Sequence, residues 1–167
     1  MKFEQIQGSL KEMMALLLQH ISNGISLVKE SCLSAISSVV EVAKENFAPF
    51  LEDTVRLMFD FFENEKYSHK NYKQLKGQSI ETLTIIASSV GGDMFKPVAQ
   101  KLIDLMINMQ QSQFEQTDPQ KTYILAGWQR LCLVYGKELG AYLGRILPSL
   151  FALVENVIQT EIKLVTG

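Results

Sequence analysis

Residues 32–50, CLSAISSVVEVAKENFAPF, and residues 80–98, IETLTIIASSVGGDMFKPV, decide the fold of this chain. Laid over one another at an offset of 48, they place Cys32 on Ile80, Ala35 on Leu83, Val39 on Ala87 and Val42 on Val90. Phe47 then falls on Phe95, Pro49 on Pro97 and, further along, Met58 on Met106. A second offset of 44 carries Ile80 to Ile124, Ala87 to Leu131, Val90 to Val134, Phe95 to Leu139 and Met106 to Leu150. Each copy combines an apolar helix at three-and-four spacing, a tight break and a second helix.

A period in the mid-forties with two helices per unit marks HEAT-type repeats. The expected fold is therefore all-α, an α-α superhelix of about three and a half helical hairpins. Outward from the two quoted stretches, the spacing predicts outer (A) helices over about 3–20, 47–63, 94–110 and 138–156. Inner (B) helices are predicted over about 25–43, 71–90 and 118–135. The whole of 1–167 then reads as one array, with repeats at about 3–43, 47–90 and 94–135 and an unpaired helix at 138–156. Asn23-Gly24, Gly91-Gly92 and Gly136 stop helices, the first as a pair suited to positive φ. Asp118-Pro119 opens one, because Asp caps free amides and Pro at the first position needs no donor. Pro148 is expected to bend the last helix. No segment shows clean strand alternation.

The composition fits this architecture. Of 167 residues 47% are apolar and only 20% charged, with a net charge of −2. The apolar excess excludes disorder, and no uninterrupted apolar run is long enough to span a membrane. In an array whose units bury their faces only against neighbours, such an excess is expected. Neither end carries the polar cap of a terminal repeat, so the chain reads as a section of a longer array. A pI near 5.7 argues against nucleic acid as a partner. The lysines between Lys66 and Lys76 sit beside Glu63 and Glu65 and read as a solvated loop. The amino-terminal stretch lacks the continuous apolar core of a signal peptide. Cys32 and Cys132 are expected to be buried free thiols in a reducing compartment.

Catalytic patterns are missing from the sequence. His20 and His69 stand apart, where a metal site needs three or four clustered ligands. There is no nucleophile–histidine pattern, phosphate loop or dinucleotide fingerprint. Trp128 and the methionines Met13, Met14, Met58, Met106 and Met109 read as core filler, with an aromatic cage as the lesser alternative. No enzyme activity, metal or cofactor is expected.

Two stretches are more specific than a generic repeat. Leu75-Lys76-Gly77-Gln78-Ser79-Ile80-Glu81 precedes a small-apolar helix and Phe95. Asp118-Pro119-Gln120 is followed by Tyr123, Trp128, Leu131-Cys132, Gly136-Lys137-Glu138 and Tyr142-Leu143. Together with Ala35 to Phe50, this order resembles the central region of the karyopherin-β nuclear transport receptors of the importin beta-3 type, over about residues 25–155. The resemblance implies nuclear import: protein cargo with basic localisation signals held inside the curved array, RanGTP-driven release, contact with phenylalanine-glycine nucleoporins, and shuttling between cytoplasm and nucleus. A complete Ran site is not expected within this stretch, nor contact with membrane or nucleic acid. On the inner helices, Glu30, Glu41, Gln78, Glu81 and Gln129 lie off the buried faces and are the candidate cargo-binding residues, since acidic and amide groups favour basic partners. Grooves between outer helices, lined by residues such as Phe50 and Val98, are candidates for a phenylalanine side chain. The alternatives are a HEAT scaffold or regulatory subunit of another complex, and a self-contained helical bundle with a ligand or catalytic site in its core.

Overall fold

The close packing of three inner helices sets the architecture. The computed structural model describes residues 3–111, 114–115 and 118–166, with the backbone alone at 149, 156, 157 and 159–166. Seven α-helices occupy these described residues: α1 (Leu10–Asn23), α2 (Ser26–Ala43), α3 (Ala48–Glu63), α4 (Lys73–Val90), α5 (Gly92–Gln111), α6 (Gln120–Tyr135) and α7 (Leu143–Thr166). No strand occurs among them. The most extensive helix contacts join α2 to α4 and α4 to α6. The outer row is looser: α1 touches α3 and α5 touches α7, but α3 and α5 barely meet. Two layers with unequal spacing curve toward the tighter one, so α2, α4 and α6 line the concave side. This is a HEAT-type α-α superhelix.

One core runs through both layers. Phe47, Phe95 and Leu139, which the two offsets superimpose, are 0%, 0% and 2% exposed. Val39, Ala87 and Leu131 form a second superimposed set, and all are buried. The repeat is thus a packing repeat, with the same knob entering the same position in successive units. Trp128 lies in this core, its Nε1 donating to Gln110 Oε1 at 2.7 Å. Gln110 Nε2 in turn donates to the Ile146 carbonyl at 3.1 Å. This buried polar bridge ties α6, α5 and α7 together and leaves no room for an aromatic cage.

Small residues allow the inner helices to approach. A Cβ on Gly77 would lie 2.3 Å from the Tyr123 ring of α6, and one on Gly127 would lie 3.3 Å from both Ile80 Cγ2 and Thr84 Cγ2 of α4. Ser37 Oγ donates to Thr82 Oγ1 at 3.1 Å across the α2–α4 seam. Helix ends follow the expected chemistry at Gly91 and Gly136, whose φ values are 90° and 47°. Lys44, ending α2, adopts a φ of 50° without being glycine. Asp118 Oδ1 accepts from the Gln120 amide at 3.0 Å, opening α6.

Several local expectations need correction. Gly24 has φ −72°, so it is not a positive-φ stop. Its lack of a side chain matters sterically instead: a Cβ there would lie 2.6 Å from the His20 carbonyl oxygen. The first helix begins at Leu10, preceded by 3-10 turns at Phe3–Gln5 and Gln7–Ser9. The helix expected from 138 begins as a 3-10 stretch, Gly136–Tyr142, and α7 continues to Thr166 with Pro148 inside it. Cys32 is buried but Cys132 is exposed. It adjoins Leu133, 81% exposed, on a side of α6 that no helix covers. On α2, Ile25 and Val28 are exposed, and Leu33 and Val40 take their place in the core. The connection after α3 is not merely solvated either. Tyr67 is buried, edge-on to Phe61 at 4.9 Å and to Tyr72 at 5.1 Å. Lys29 Nζ, buried nearby, donates to the carbonyls of Ile21 and Ser22 at the end of α1. A cation there satisfies free carbonyls and opposes the helix dipole. Burial lowers its pKa, and the charge of Lys66 lowers it further.

Two outcomes follow for stability. Gly77→Ala should destabilise the chain by about 1–3 kcal/mol in urea or thermal unfolding, because the Tyr123 ring must move from a close-packed seam. Tyr135 Oη donates to the Gly92 carbonyl at 3.2 Å. Burial pushes its pKa up to about 12, with Glu138 and Asp93 adding to the shift. The unfolded chain releases this proton near pH 10 and the folded chain only near 12, so stability is intact below pH 10 and falls across that window. The loss should be on the order of 1–2 kcal/mol, and Tyr135→Phe should lack that component when unfolding is measured from pH 9 to 12.

Candidate functional site

The faces of α4 can be assigned from what each residue touches. Thr82 meets Ser37 and the Leu33 carbonyl of α2. Gly77, Ile80 and Thr84 meet Tyr123 and Gly127 of α6. Leu83, Ala87 and Val90 are buried. At 100° per residue, these contacts leave a stripe through Gln78, Ile85 and Ser89 that faces no helix. All three are partly exposed. The repeat offsets move this stripe to Glu30 and Glu41 on α2, where the third equivalent, Ser37, turns to the α4 seam, and to Thr122, Gln129 and Leu133 on α6.

Four of the five candidate residues therefore share one surface: Glu30, Glu41, Gln78 and Gln129. Glu81 stands at its border with α6, where its carboxylate lies 3.5 Å from the Arg130 guanidinium. Arg130 also donates to Thr84 Oγ1 at 3.4 Å. The negative charge of Glu81 is thus partly neutralised within the fold. Glu30 accepts from Ser26 Oγ at 3.1 Å, whereas Glu41 and Gln129 are exposed. Gln78 Oε1 is buried and has no hydrogen-bond partner among the described residues. Such an acceptor is normally satisfied, and this one, shielded from solvent, is unpaired within the fold. With neighbouring helices ~10 Å apart, the stripe is roughly 20 Å across, the length of about six extended residues.

Arg130, Ile85 and Leu133 belong to the same surface and were not among the expected residues. The offset arithmetic that relates Gln78 to Glu30 would have found Ile85 and Leu133, but they read as apolar helix residues. Arg130 was detectable only as a charge beside an inner-face position.

The looser outer row opens a groove of about 520 Å³ between α3 and α5. Leu51, Val55, Phe59, Met94 and Val98 line it. Phe50 does not; its ring packs 5.9 Å from Phe47 instead. Lys101 closes one end, 2.5 Å from Glu63 and 4.3 Å above the Phe59 ring.

Both histidines are exposed, and His69 Nδ1 accepts from the Asn71 amide at 3.2 Å. Among the described residues no group of three or more His, Cys, Asp or Glu could hold a metal ion, and no helix is long and apolar enough to cross a membrane.

No protein-family model matches the chain. Individual proteins do. It is 28% identical over 123 residues to importin subunit beta-3 of Saccharomyces cerevisiae, covering 74% of this chain and 11% of that protein. It is 26% identical over 132 residues to a probable importin subunit beta-4 of Schizosaccharomyces pombe, covering 77% and 12%. The chain is thus similar to short sections of importin-β-type proteins. A probable importin-5 homolog of Dictyostelium discoideum matches at 21% over 136 residues, covering 81% and 12%. The chain thus spans 11–12% of the length of these curated importins. Among solved structures, that of Kap121p bound to Pho4p superimposes with a TM-score of 0.76 at 22% identity, over 90% of this chain and 14% of that one. The karyopherin solenoid and the structure here share their fold.

The unpaired acceptor has a measurable consequence. Replacing Gln78 with Leu removes an unpaired buried oxygen, so thermal unfolding should show no loss, or a gain of up to about 1 kcal/mol. A loss above that size would mean that Gln78 is already satisfied.

Proposed function

We propose that this chain contributes a cargo-binding section of a nuclear import receptor. The observation that carries the reading is the concave stripe of Glu30, Glu41, Gln78 and Gln129, a polar surface that helix packing leaves free. Its importin relatives and its structural likeness to a karyopherin with a bound protein support the assignment. In this reading an extended basic localisation signal crosses the inner helices. Its lysines approach Glu30 and Glu41, and the exposed amide of Gln129 offers a further polar contact. Ile85 and Leu133 supply apolar contact between the polar groups. Shuttling between cytoplasm and nucleus, and cargo release by RanGTP, belong to the full-length receptor.

The groove between α3 and α5 has the shape and lining for a phenylalanine side chain of a nucleoporin repeat, with Met94 and Phe59 as its walls. It lies on the opposite layer from the stripe, so cargo and pore protein do not compete.

Fluorescence anisotropy with a labelled lysine-rich localisation peptide tests the first site. Glu30→Lys and Glu41→Lys should each weaken binding about 3- to 10-fold, an effect that shrinks with added salt. Glu81→Gln should change it less than twofold, because Arg130 already offsets that charge. Equal affinity in all three variants would remove the stripe as the cargo surface. In the same format, Val98→Glu should abolish binding of a phenylalanine-glycine peptide and leave the basic peptide unaffected.

A further inference from the structure

At the edge of the solenoid that carries the long connections, a cleft of about 450 Å³ opens between the end of α3, the start of α4 and the end of α5. Phe62, Leu105, Met109 and Phe114 give it an apolar floor, and His69, Lys70, Lys73 and Lys76 give it a basic wall. Among the described residues, Asp118 is the single acidic one of the lining.

The three lysines differ in what they already hold. Lys73 Nζ lies 2.7 Å from Asp118 Oδ2 and 3.1 Å from Glu115 Oε2, a strut joining the beginnings of α4 and α6. Lys70 is exposed. Lys76 is only partly exposed and has no carboxylate or carbonyl partner among the described residues, its Nζ lying 5.9 Å from the Phe62 ring centroid. Burial lowers its pKa. The sequence supplies no acid from 112, 113, 116 or 117, which are Ser, Gln, Gln and Thr. A partly desolvated ammonium without a counter-ion carries a cost that an arriving anion relieves.

We propose that this cleft binds an acidic peptide segment of a partner protein, one that seats an aromatic or large apolar side chain on the Phe62–Met109 floor and a carboxylate on Lys76, with Lys70 at the rim. The charge favours an acidic partner, and the apolar floor favours a peptide over a bare anion. Lys76 and Gln78 lie about 200° apart around α4, so the cleft and the concave stripe are on different sides of the helix. The two sites also select opposite charge, which makes them separable in one assay.

The probe is a fluorescein-labelled peptide of sequence Asp-Glu-Phe-Glu-Asp, titrated with the intact chain. Binding should weaken fivefold or more in Lys76→Met, which keeps the aliphatic stem. It should be retained in Lys76→Arg and unchanged in Glu41→Lys, the variant that weakens basic-peptide binding at the stripe. Replacing the peptide's Phe with Ala should weaken binding by a similar factor. Amide shift mapping on the unaltered chain should place the peptide at residues 62, 70, 76, 105 and 109, and so decides the matter even if Lys76→Met does not fold. The proposal fails if Lys76→Met binds as tightly as the unaltered chain, or if the shifts fall elsewhere. It also fails if the Ala peptide binds equally well, or if inorganic phosphate displaces the probe as effectively as unlabelled peptide, since either would mark a simple anion patch.

Discussion

The close approach of α2, α4 and α6 is the constraint on which the rest of the structure depends. It is made by what is missing at the seams. Gly77 leaves room for the Tyr123 ring, Gly127 for Ile80 and Thr84, and Ser37 and Thr82 join by hydroxyls where larger side chains would separate the helices. The outer row uses bulk instead: Phe47, Met58, Phe95, Met106 and Leu139 are its buried anchors. Small residues on one side and large ones on the other make the layers unequal in spacing, and unequal layers curve. The curvature gives a concave stripe on the inner row and an open groove between α3 and α5 on the outer one. Both candidate surfaces are therefore consequences of the same difference in side-chain volume.

A helix used on three sides has only one left for binding. On α4, one side meets α2, another meets α6, and a third is buried toward the outer helices. What remains is a stripe in which every third or fourth residue faces solvent. Within it, polarity is free to vary without disturbing the stack, as Glu30, Gln78 and Thr122 show at equivalent positions. The neighbour-only logic of a solenoid thus divides the sequence into residues that must repeat and residues that need not. Phe47, Phe95 and Leu139 belong to the first kind, and the candidate recognition residues to the second.

That division explains how much was legible beforehand. The helical repeat, its period and the anchors Phe47, Phe95 and Met106 stand out because packing demands the same residue type in each unit. The concave position of Glu30, Glu41, Gln78 and Gln129 follows from helical phase once the inner row is recognised. What escaped depends on side-chain directions and on what each element packs against. Cys132 fits the apolar phase of α6, yet no helix covers its side. Gly24 looks like a conformational stop, but its role is steric, against the His20 carbonyl. Phe50 has the chemistry of a groove residue and turns toward Phe47 instead. The ion pair of Glu81 with Arg130 spans two helices and has no local signature.

The distribution of ionic partners separates structural from receptive charge. Lys73 is held by Asp118 and Glu115, Lys29 by two carbonyls of α1, and Glu81 by Arg130. Each of these joins elements that the stack must keep in register. Among the described residues, Lys76 and Glu41 have no ionic partner, and Gln78 presents a buried acceptor with no donor. In a chain with only 20% charged residues, leaving the partly buried Lys76 and the buried Gln78 oxygen unpaired costs stability at positions where apolar residues would be tolerated. Fold stability alone does not account for them. They lie at the rim or within the open surfaces and not at the seams. The array therefore keeps paired charge at the joints between elements and leaves unpaired polar groups on two sides of a single inner helix.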